Sequence, residues 1–288
     1  MKVLVTGANG QVGLALSNCA PSAMEVIPCA HDKLDIANQD SVAAYIRQHT
    51  PDVIINAAAY TAVDRAEAEP DAARRVNADG PRNLARSARE VGARLIHIST
   101  DFVFDGGSGV PYRPDSLTRP LGVYGETKLA GEKAVLECLP DRAVVLRTAW
   151  VYAAQGKNFL LTMLRLMSAN GSVRVVADQV GTPTAAQSLA EAIWQIVGMA
   201  DVRGIYHWTD AGVASWYDFA VAITEEAAQL GLLPKEAAIL PIGTADYPTP
   251  ARRPAYSVLD KSSLMALGLS PVHWRKRLRS VLEEIKNA

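Results

Sequence analysis

Short apolar runs alternate with longer helical patterns along the first half of the chain. The runs are rich in β-branched residues, which predicts strands at Val3–Val5, Met24–Pro28, Asp52–Asn56, Arg94–Ser99 and Ala143–Arg147. Between them, apolar residues recur every three or four positions, which predicts helices at Val12–Asn18, Ser41–Ile46 and Pro70–Val91. Because the strands are continuously apolar, they fit a parallel sheet covered by helices on both faces. The pattern predicts an α/β fold, a Rossmann-type doubly wound parallel sheet.

The pattern loosens after Val151. Helices are predicted at Asn158–Ser168, Ala185–Val197, 215–230 and 272–286, with one strand at Gly204–Trp208 and a stretch rich in proline and arginine from Pro241 to Pro254. We therefore predict a first domain over residues 1–150 and a smaller α+β domain over 151–288. A segment at about 185–210 is expected to return to the first domain's sheet.

Composition excludes several classes of protein. The 288 residues carry 29 basic and 30 acidic side chains, so charge offers no reason to expect nucleic acid or an anionic membrane as a partner. Three cysteines, Cys19, Cys29 and Cys138, are too few and too scattered for a disulfide framework or a zinc cluster. No apolar run approaches the length of a membrane helix, and Gly7 interrupts the amino terminus too early for a signal peptide. We expect a soluble, cytoplasmic protein without a bound metal.

A glycine-rich loop follows the first predicted strand. Gly7, Gly10 and Gly13 allow a tight turn, close approach of a pyrophosphate and close packing of the next helix. That helix offers unpaired N–H groups and partial positive charge to an anion. The loop predicts a dinucleotide site in residues 1–150, although a glycine-rich turn without a ligand is the alternative.

A second motif predicts proton transfer. Tyr124 and Lys128 lie four residues apart, on one face of a helix. The lysine cation is expected to lower the pKa of the phenol, making Tyr124 a general acid for a carbonyl oxygen. Thr100 ends the fourth predicted strand at the sheet edge where α/β proteins bind ligands, and its hydroxyl could polarise that carbonyl. His97, inside the same strand, is expected to be a core residue.

The wide glycine spacing and the Thr100, Tyr124, Lys128 order resemble the extended short-chain dehydrogenase/reductase superfamily. Within it, segments from one end of the chain to the other resemble the dTDP-4-dehydrorhamnose reductase family, among them Val53–Ala66, Ser99–Gly106, Val123–Lys133, Leu146–Tyr152, Asp178–Thr184 and Thr249–Ser257. The resemblance implies reduction of the C4 ketone of dTDP-6-deoxy-L-lyxo-4-hexulose to dTDP-L-rhamnose, with a hydride from NAD(P)H and a proton from Tyr124.

The resemblance also implies binding residues. The predicted cofactor contacts are Gly7, Asn9, Gly10, Gln11, Val12, Gly13, Asp35, Ile36, Ala57, Ala58, Ala59, Tyr60 and Lys128. The predicted substrate contacts are Thr61, Asp101, Trp150, Asn158 and Arg253, with Arg252 as a second candidate for the diphosphate. Because His31, Asp32 and Lys33 include both signs of charge, NADP is only weakly preferred over NAD.

One position departs from the family. Some members form a magnesium-bridged dimer through acidic side chains, and the corresponding positions here are Ala15 and Gln187. Neither can supply a carboxylate. We predict a monomer, or a homodimer without that bridge.

Two other functions fit part of the pattern. Nucleotide-sugar epimerases and dehydratases share the glycine loop and the Tyr–Lys pair, but dehydratases typically need Asp-Glu after the threonine, whereas Thr100 is followed by Asp101 and Phe102. A non-catalytic NADP-binding regulatory subunit, of the kind found with methionine adenosyltransferase, is the other alternative.

Overall fold

The computed structural model describes residues 1–288 and contains a parallel sheet with helices on both faces. Its first half comprises β1 (Lys2–Thr6), α1 (Gln11–Asn18), β2 (Glu25–Cys29), α2 (Gln39–His49), β3 (Val53–Asn56), α3 (Val63–Ala66), α4 (Pro70–Arg74), a π-helical segment (Arg75–Asp79), α5 (Gly80–Val91), β4 (Arg94–Thr100), a 3-10 turn (Asp101–Val103), α6 (Val123–Cys138) and β5 (Ala143–Thr148). The five strands predicted in this half are confirmed to within one or two residues at each end.

The second half contains shorter strands and longer helices. It comprises β6 (Val151–Tyr152), α7 (Phe159–Asn170), β7 (Ser172–Val176), β8 (Val180–Gly181), β9 (Thr184–Ala185), α8 (Ala186–Val197), β10 (Gly204–His207), β11 (Ala214–Ser215), α9 (Trp216–Gln229), β12 (Ala238–Ile242), a 3-10 turn (Thr244–Asp246), α10 (Ser262–Met265) and α11 (Trp274–Asn287). Strand β12, which pairs in parallel with β7, was not predicted.

The main sheet has six parallel strands in the order β10-β5-β4-β3-β1-β2. Alternate residues of β1 face opposite layers: Val3 and Val5 pack with α1 and α8, and Leu4 packs with α2, α5 and α6. This explains why the strand is apolar at successive positions. The predicted α/β class is confirmed. The division into two domains at residue 150 stays a prediction.

A separate apolar cluster lies in the second half of the chain. It is built from α7, α9 and α11, with Leu160, Phe219 and Leu278 fully buried. No helix of the protein has both the length and the apolar character that a membrane span requires.

The helix predicted for Pro70–Val91 is interrupted by the π-helical segment. Pro81 has no N–H to donate to the carbonyl of Asn77, so the regular α-helical bond cannot form there. A π-helical turn is rare, and inside a longer helix it often lies at a functional site. The prediction of one regular helix was wrong at this point.

Candidate active site

One cavity of about 780 Å³ lies at the carboxyl edge of the main sheet. Among the residues that line it are most of the predicted contacts: Gly7, Asn9, Gly10, Gln11, Val12, Asp35, Ile36, Ala57, Ala58, Ala59, Tyr60, Thr61, Thr100, Asp101, Tyr124, Lys128, Trp150 and Arg253. Gly13 and Asn158 are not among the lining residues. The fold thus brings the glycine loop and the Thr–Tyr–Lys set to one enclosure.

The glycine loop fits closely against the rest of the sheet edge. Gly7 has φ +67°, and a Cβ there would lie 2.6 Å from the amide nitrogen of Ala58. A Cβ on Gly13 would lie 2.3 Å from the carbonyl oxygen of Gly7, so Gly13 serves helix packing rather than lining. Gly10 precedes α1, and no side chain caps the first turn of that helix. Its free N–H groups can therefore take an anion such as a pyrophosphate.

The buried side-chain amide of Asn56 supports the loop that follows β3. Asn56 Oδ1 accepts hydrogen bonds from Thr6 Oγ1 at 2.7 Å and from the amide nitrogen of Ala58 at 3.2 Å. Its Nδ2 lies 3.0 Å from Nδ1 of His97. Burial, and then the charge of Lys128, lower the pKa of His97 well below its usual value. His97 is a neutral core residue, as predicted.

The π-helical segment also supports this loop. Asn77 Oδ1 accepts from the amide nitrogen of Tyr60 at 2.8 Å, and its Nδ2 donates to the Tyr60 carbonyl at 3.1 Å and to Thr127 Oγ1 at 3.3 Å. Asn77 is fully buried. It therefore ties the loop after β3 to helix α6, a structural role that was not predicted from the sequence.

Two glycines let α6 approach its neighbours closely. A Cβ on Gly125 would lie 2.2 Å from the carbonyl oxygen of Phe102, and one on Gly131 would lie 2.1 Å from that of Asn77. Both glycines are on the helix that carries Tyr124 and Lys128. The close contacts press that helix against the end of β4, where Thr100 lies.

The ionisation of Tyr124 and Lys128 differs from the prediction. Lys128 is buried, and its Nζ donates to the carbonyl of Ile98 at 2.7 Å. Burial raises the pKa of Tyr124 to about 12, the charge of Asp101 adds to this, and the hydroxyl of Thr100 acts the other way. The expectation that Lys128 lowers the pKa of Tyr124 was therefore wrong for the free protein. Because the ammonium bonds to the Ile98 carbonyl while the phenol is desolvated, Tyr124 stays protonated at neutral pH.

Thr100 and Asp101 form a bonded pair at the end of β4. Thr100 Oγ1 donates to Asp101 Oδ1 at 3.0 Å and accepts from the amide nitrogen of Phe102 at 3.2 Å. Asp101 Oδ2 is buried without a protein partner. Burial raises the pKa of Asp101 to about 6. The hydroxyls of Ser257 and Thr100 lower this pKa, and the charge of Asp101 in turn raises the pKa of Tyr124.

Two stacked indoles form the opposite end of the cavity. The rings of Trp150 and Trp216 lie 3.5 Å apart with an interplanar angle of 2°. Trp150 has φ +49°, an uncommon conformation for a residue with a bulky side chain. Sequence reasoning found Trp150 and missed Trp216, since nothing in the sequence of α9 indicates that its first residue reaches the sheet edge.

Of the two arginines predicted to bind the diphosphate, one lines the cavity and the other does not. Arg253 lines the cavity but is paired with Asp64, Nη2 to Oδ2 at 2.7 Å, and this pairing lowers the pKa of Asp64. Arg252 is exposed and lies outside the lining. Lys157, which was not predicted, lines the cavity instead.

Asn158 hydrogen-bonds to the first turn of α7 and to Gln11. Its Oδ1 caps α7 by accepting from Leu161 N at 3.0 Å, and its Nδ2 donates to Gln11 Oε1 at 2.8 Å. The structure therefore links Asn158 to the glycine loop and does not bring it to the cavity with the other predicted substrate contacts.

Comparison with known proteins shows which family the chain belongs to. The family described as RmlD substrate binding domain matches residues 1–287. The chain belongs to this family. The resemblance to dTDP-4-dehydrorhamnose reductases is thereby confirmed.

Three relatives of this family member illustrate the match. The spore coat polysaccharide biosynthesis protein SpsK of Bacillus subtilis (strain 168) is 42% identical, over 100% of this chain and 99% of its own. A dTDP-4-dehydrorhamnose reductase of Burkholderia thailandensis is 44% identical, over 96% of each chain. The crystal structure of a dTDP-4-dehydrorhamnose reductase from Bacillus anthracis in complex with NADP is 35% identical, covers 98% of this chain and 99% of its own, and gives a TM-score of 0.93.

Proposed function

We propose that this protein reduces the C4 ketone of dTDP-6-deoxy-L-lyxo-4-hexulose to give dTDP-L-rhamnose, using NADPH or NADH. The observation that carries the proposal is the meeting of Thr100, Tyr124 and Lys128 with the glycine loop in one cavity. Family membership and the names of the relatives support the same reaction.

The glycine loop and the loop after β3 would hold the dinucleotide. The uncapped first turn of α1 suits its pyrophosphate, and the small side chains of Ala57, Ala58 and Ala59 leave room for a ribose. When bound, the reduced nicotinamide supplies the hydride for the ketone carbon. Of the three residues that bear on the choice of cofactor, His31 lines the cavity and Asp32 and Lys33 do not, so the lining does not distinguish NADPH from NADH.

Tyr124 would give its phenolic proton to the ketone oxygen as that oxygen gains negative charge. A pKa of about 12 keeps the proton on Tyr124 until then. The hydroxyl of Thr100, which acts to lower the pKa of Tyr124, would hydrogen-bond the phenolate that remains, and Lys128 would hold the nicotinamide ribose.

The stacked Trp150 and Trp216 provide a flat apolar surface for the nucleotide sugar. Lys157 adds a cation in the cavity that is not held in an ion pair. We propose that this end selects the substrate.

The test is stoichiometric. Purified protein is mixed with NADPH and the 4-keto sugar nucleotide, and nicotinamide absorbance is followed to completion. One NADPH oxidised per sugar supports the proposal. No oxidation with retained NADPH binding favours a regulatory subunit, and sugar conversion without net NADPH oxidation favours an epimerase. NADH measured side by side decides the cofactor.

A further inference from the structure

A buried ion pair lies directly behind the cavity. Arg147 on β5 donates to Glu132 on α6 through two bonds, Nη2 to Oε2 at 2.7 Å and Nε to Oε1 at 2.9 Å. The two side chains are 2% and 1% exposed. Removing two charges from water is costly, and such a pair is a poor means of gaining stability. Its position suggests a use in the site.

The pair is connected to the strand end that carries the reaction. Ser99 Oγ donates to Glu132 Oε1. Ser99 lies between Ile98, whose carbonyl accepts the bond from Lys128 Nζ, and Thr100. The Glu132 carboxylate therefore joins α6 to β4 at the level of the catalytic groups.

Glu132 also acts through its charge. It follows Lys128 by four residues, so both lie on one face of α6. Burial lowers the pKa of Lys128 to about 8, and the charge of Glu132 raises it, whereas Arg147 is not among the charges that change it. The titratable groups that interact with this lysine are Glu132 on α6 and His97 on β4. Arg147 on β5 bonds to Glu132 and contacts His207 on β10, and Asp101 in the 3-10 turn acts on Tyr124.

We infer that Glu132 is a positioning residue for the reduction. It holds α6 against β4 and keeps the Lys128 ammonium charged at the pH at which the enzyme is active. Arg147 holds the carboxylate in place. The inference rests on the proposed function, since it assigns Lys128 a role in that reaction.

The test is the pH profile of kcat/KM for the sugar nucleotide. In the wild type we expect activity to fall above about pH 8, as Lys128 loses its proton. In Glu132→Gln the fall should move at least about one pH unit lower, because a charge close to the lysine is removed. The matched control is Glu137→Gln, an exposed glutamate on the same helix, which should keep the wild-type profile.

A second variant separates this role from folding. Glu132→Gln alone leaves a buried arginine unpaired, so Glu132→Gln with Arg147→Met removes both charges together. The double variant is expected to melt near the wild-type temperature and to show the same shift to lower pH, because Glu132 is the charge that acts on Lys128.

Each outcome of these measurements either supports or overturns the inference about Glu132. A folded variant whose profile still falls near pH 8 overturns the inference, and so does failure of both variants to fold, which would make the pair purely structural. If the wild type does not oxidise NADPH, the proposed function fails first. If it does and the profiles coincide, only the role of Glu132 fails.

Discussion

The two ends of the cavity are built in different ways. The end that we propose for the cofactor is made of backbone from two neighbouring strand ends, the loops Gly7–Gly13 and Ala57–Tyr60, and its close fit depends on glycines that have no side chain. The end that we propose for the substrate is made of large side chains, Trp150, Trp216 and Arg253, from segments far apart in the chain. Between them lie Thr100, Tyr124 and Lys128.

The difference teaches how the two ends can change. A backbone cradle has few tolerated substitutions, since any Cβ at Gly7 or Gly13 meets main-chain atoms that cannot move aside. A side-chain surface can be altered one residue at a time. If the proposed assignment of the two ends holds, specificity for the sugar nucleotide is expected to change without altering cofactor binding.

The largest effect on activity is expected from substitution of Tyr124, which lies between the two ends of the cavity. Tyr124→Phe should lower kcat by about a thousandfold, within the range typical of general acid catalysis, because the proton donor is lost. NADPH affinity, measured by fluorescence titration, should change less than about twofold, since the phenyl ring still fills its place. A variant with wild-type kcat would reject Tyr124 as the acid.

The cofactor end is tested by Gly7→Ala. A positive φ and a Cβ 2.6 Å from a backbone nitrogen should weaken NADPH binding by about tenfold or more. Gly109→Ala is the matched control, because a Cβ there meets nothing within 4 Å. Equal NADPH affinity in both variants would show that the close fit at Gly7 is not needed.

The fall of kcat/KM at low pH tests the role of Asp101, which lies between the two ends of the cavity. A pKa of about 6 at Asp101 means that its carboxylate is progressively protonated below that pH, so kcat/KM should fall about tenfold per pH unit there. In Asp101→Asn this acid limb should disappear from the profile and overall activity should be lower. An unchanged acid limb in that variant would assign it to another group.

The substrate end is tested by Trp216→Ala. Loss of the stacked ring should raise KM for the sugar nucleotide by about fivefold, the size expected for one aromatic pair, and leave NADPH affinity unchanged. Trp216→Phe keeps an aromatic ring and should show a smaller rise. A change in NADPH affinity instead would contradict the separation of the two ends.

The smallest effect is expected at Asp64. Asp64→Asn weakens a partly exposed ion pair with Arg253, so KM should rise about two- to threefold with kcat unchanged. The measurement is steady-state kinetics at two salt concentrations. Because screening weakens the wild-type pair, the difference should shrink at high salt; a difference that persists would mean that Asp64 acts by shape.

Local patterns were enough to predict much of the molecule. The apolar runs predicted the sheet, because a strand buried on both faces must be apolar at every position, as Val3, Leu4 and Val5 are. The glycine loop and Thr100 were predicted to meet at the sheet edge because each lies at the end of a strand, and the Tyr–Lys spacing put those two side chains on one face of α6. Here the sequence alone determined the fold class and most of the residues that line the cavity.

Long-range packing decided the rest. The stacking of Trp216 on Trp150, the pairing of Arg253 with Asp64 and the burial of Glu132 with Arg147 all join residues distant in the chain. The ionisation of Tyr124 and Lys128 also depends on burial, a property of the packed structure. The sequence thus determined which groups are available, and only the tertiary structure decided their partners and charges, because desolvation and distance exist only once the chain is folded.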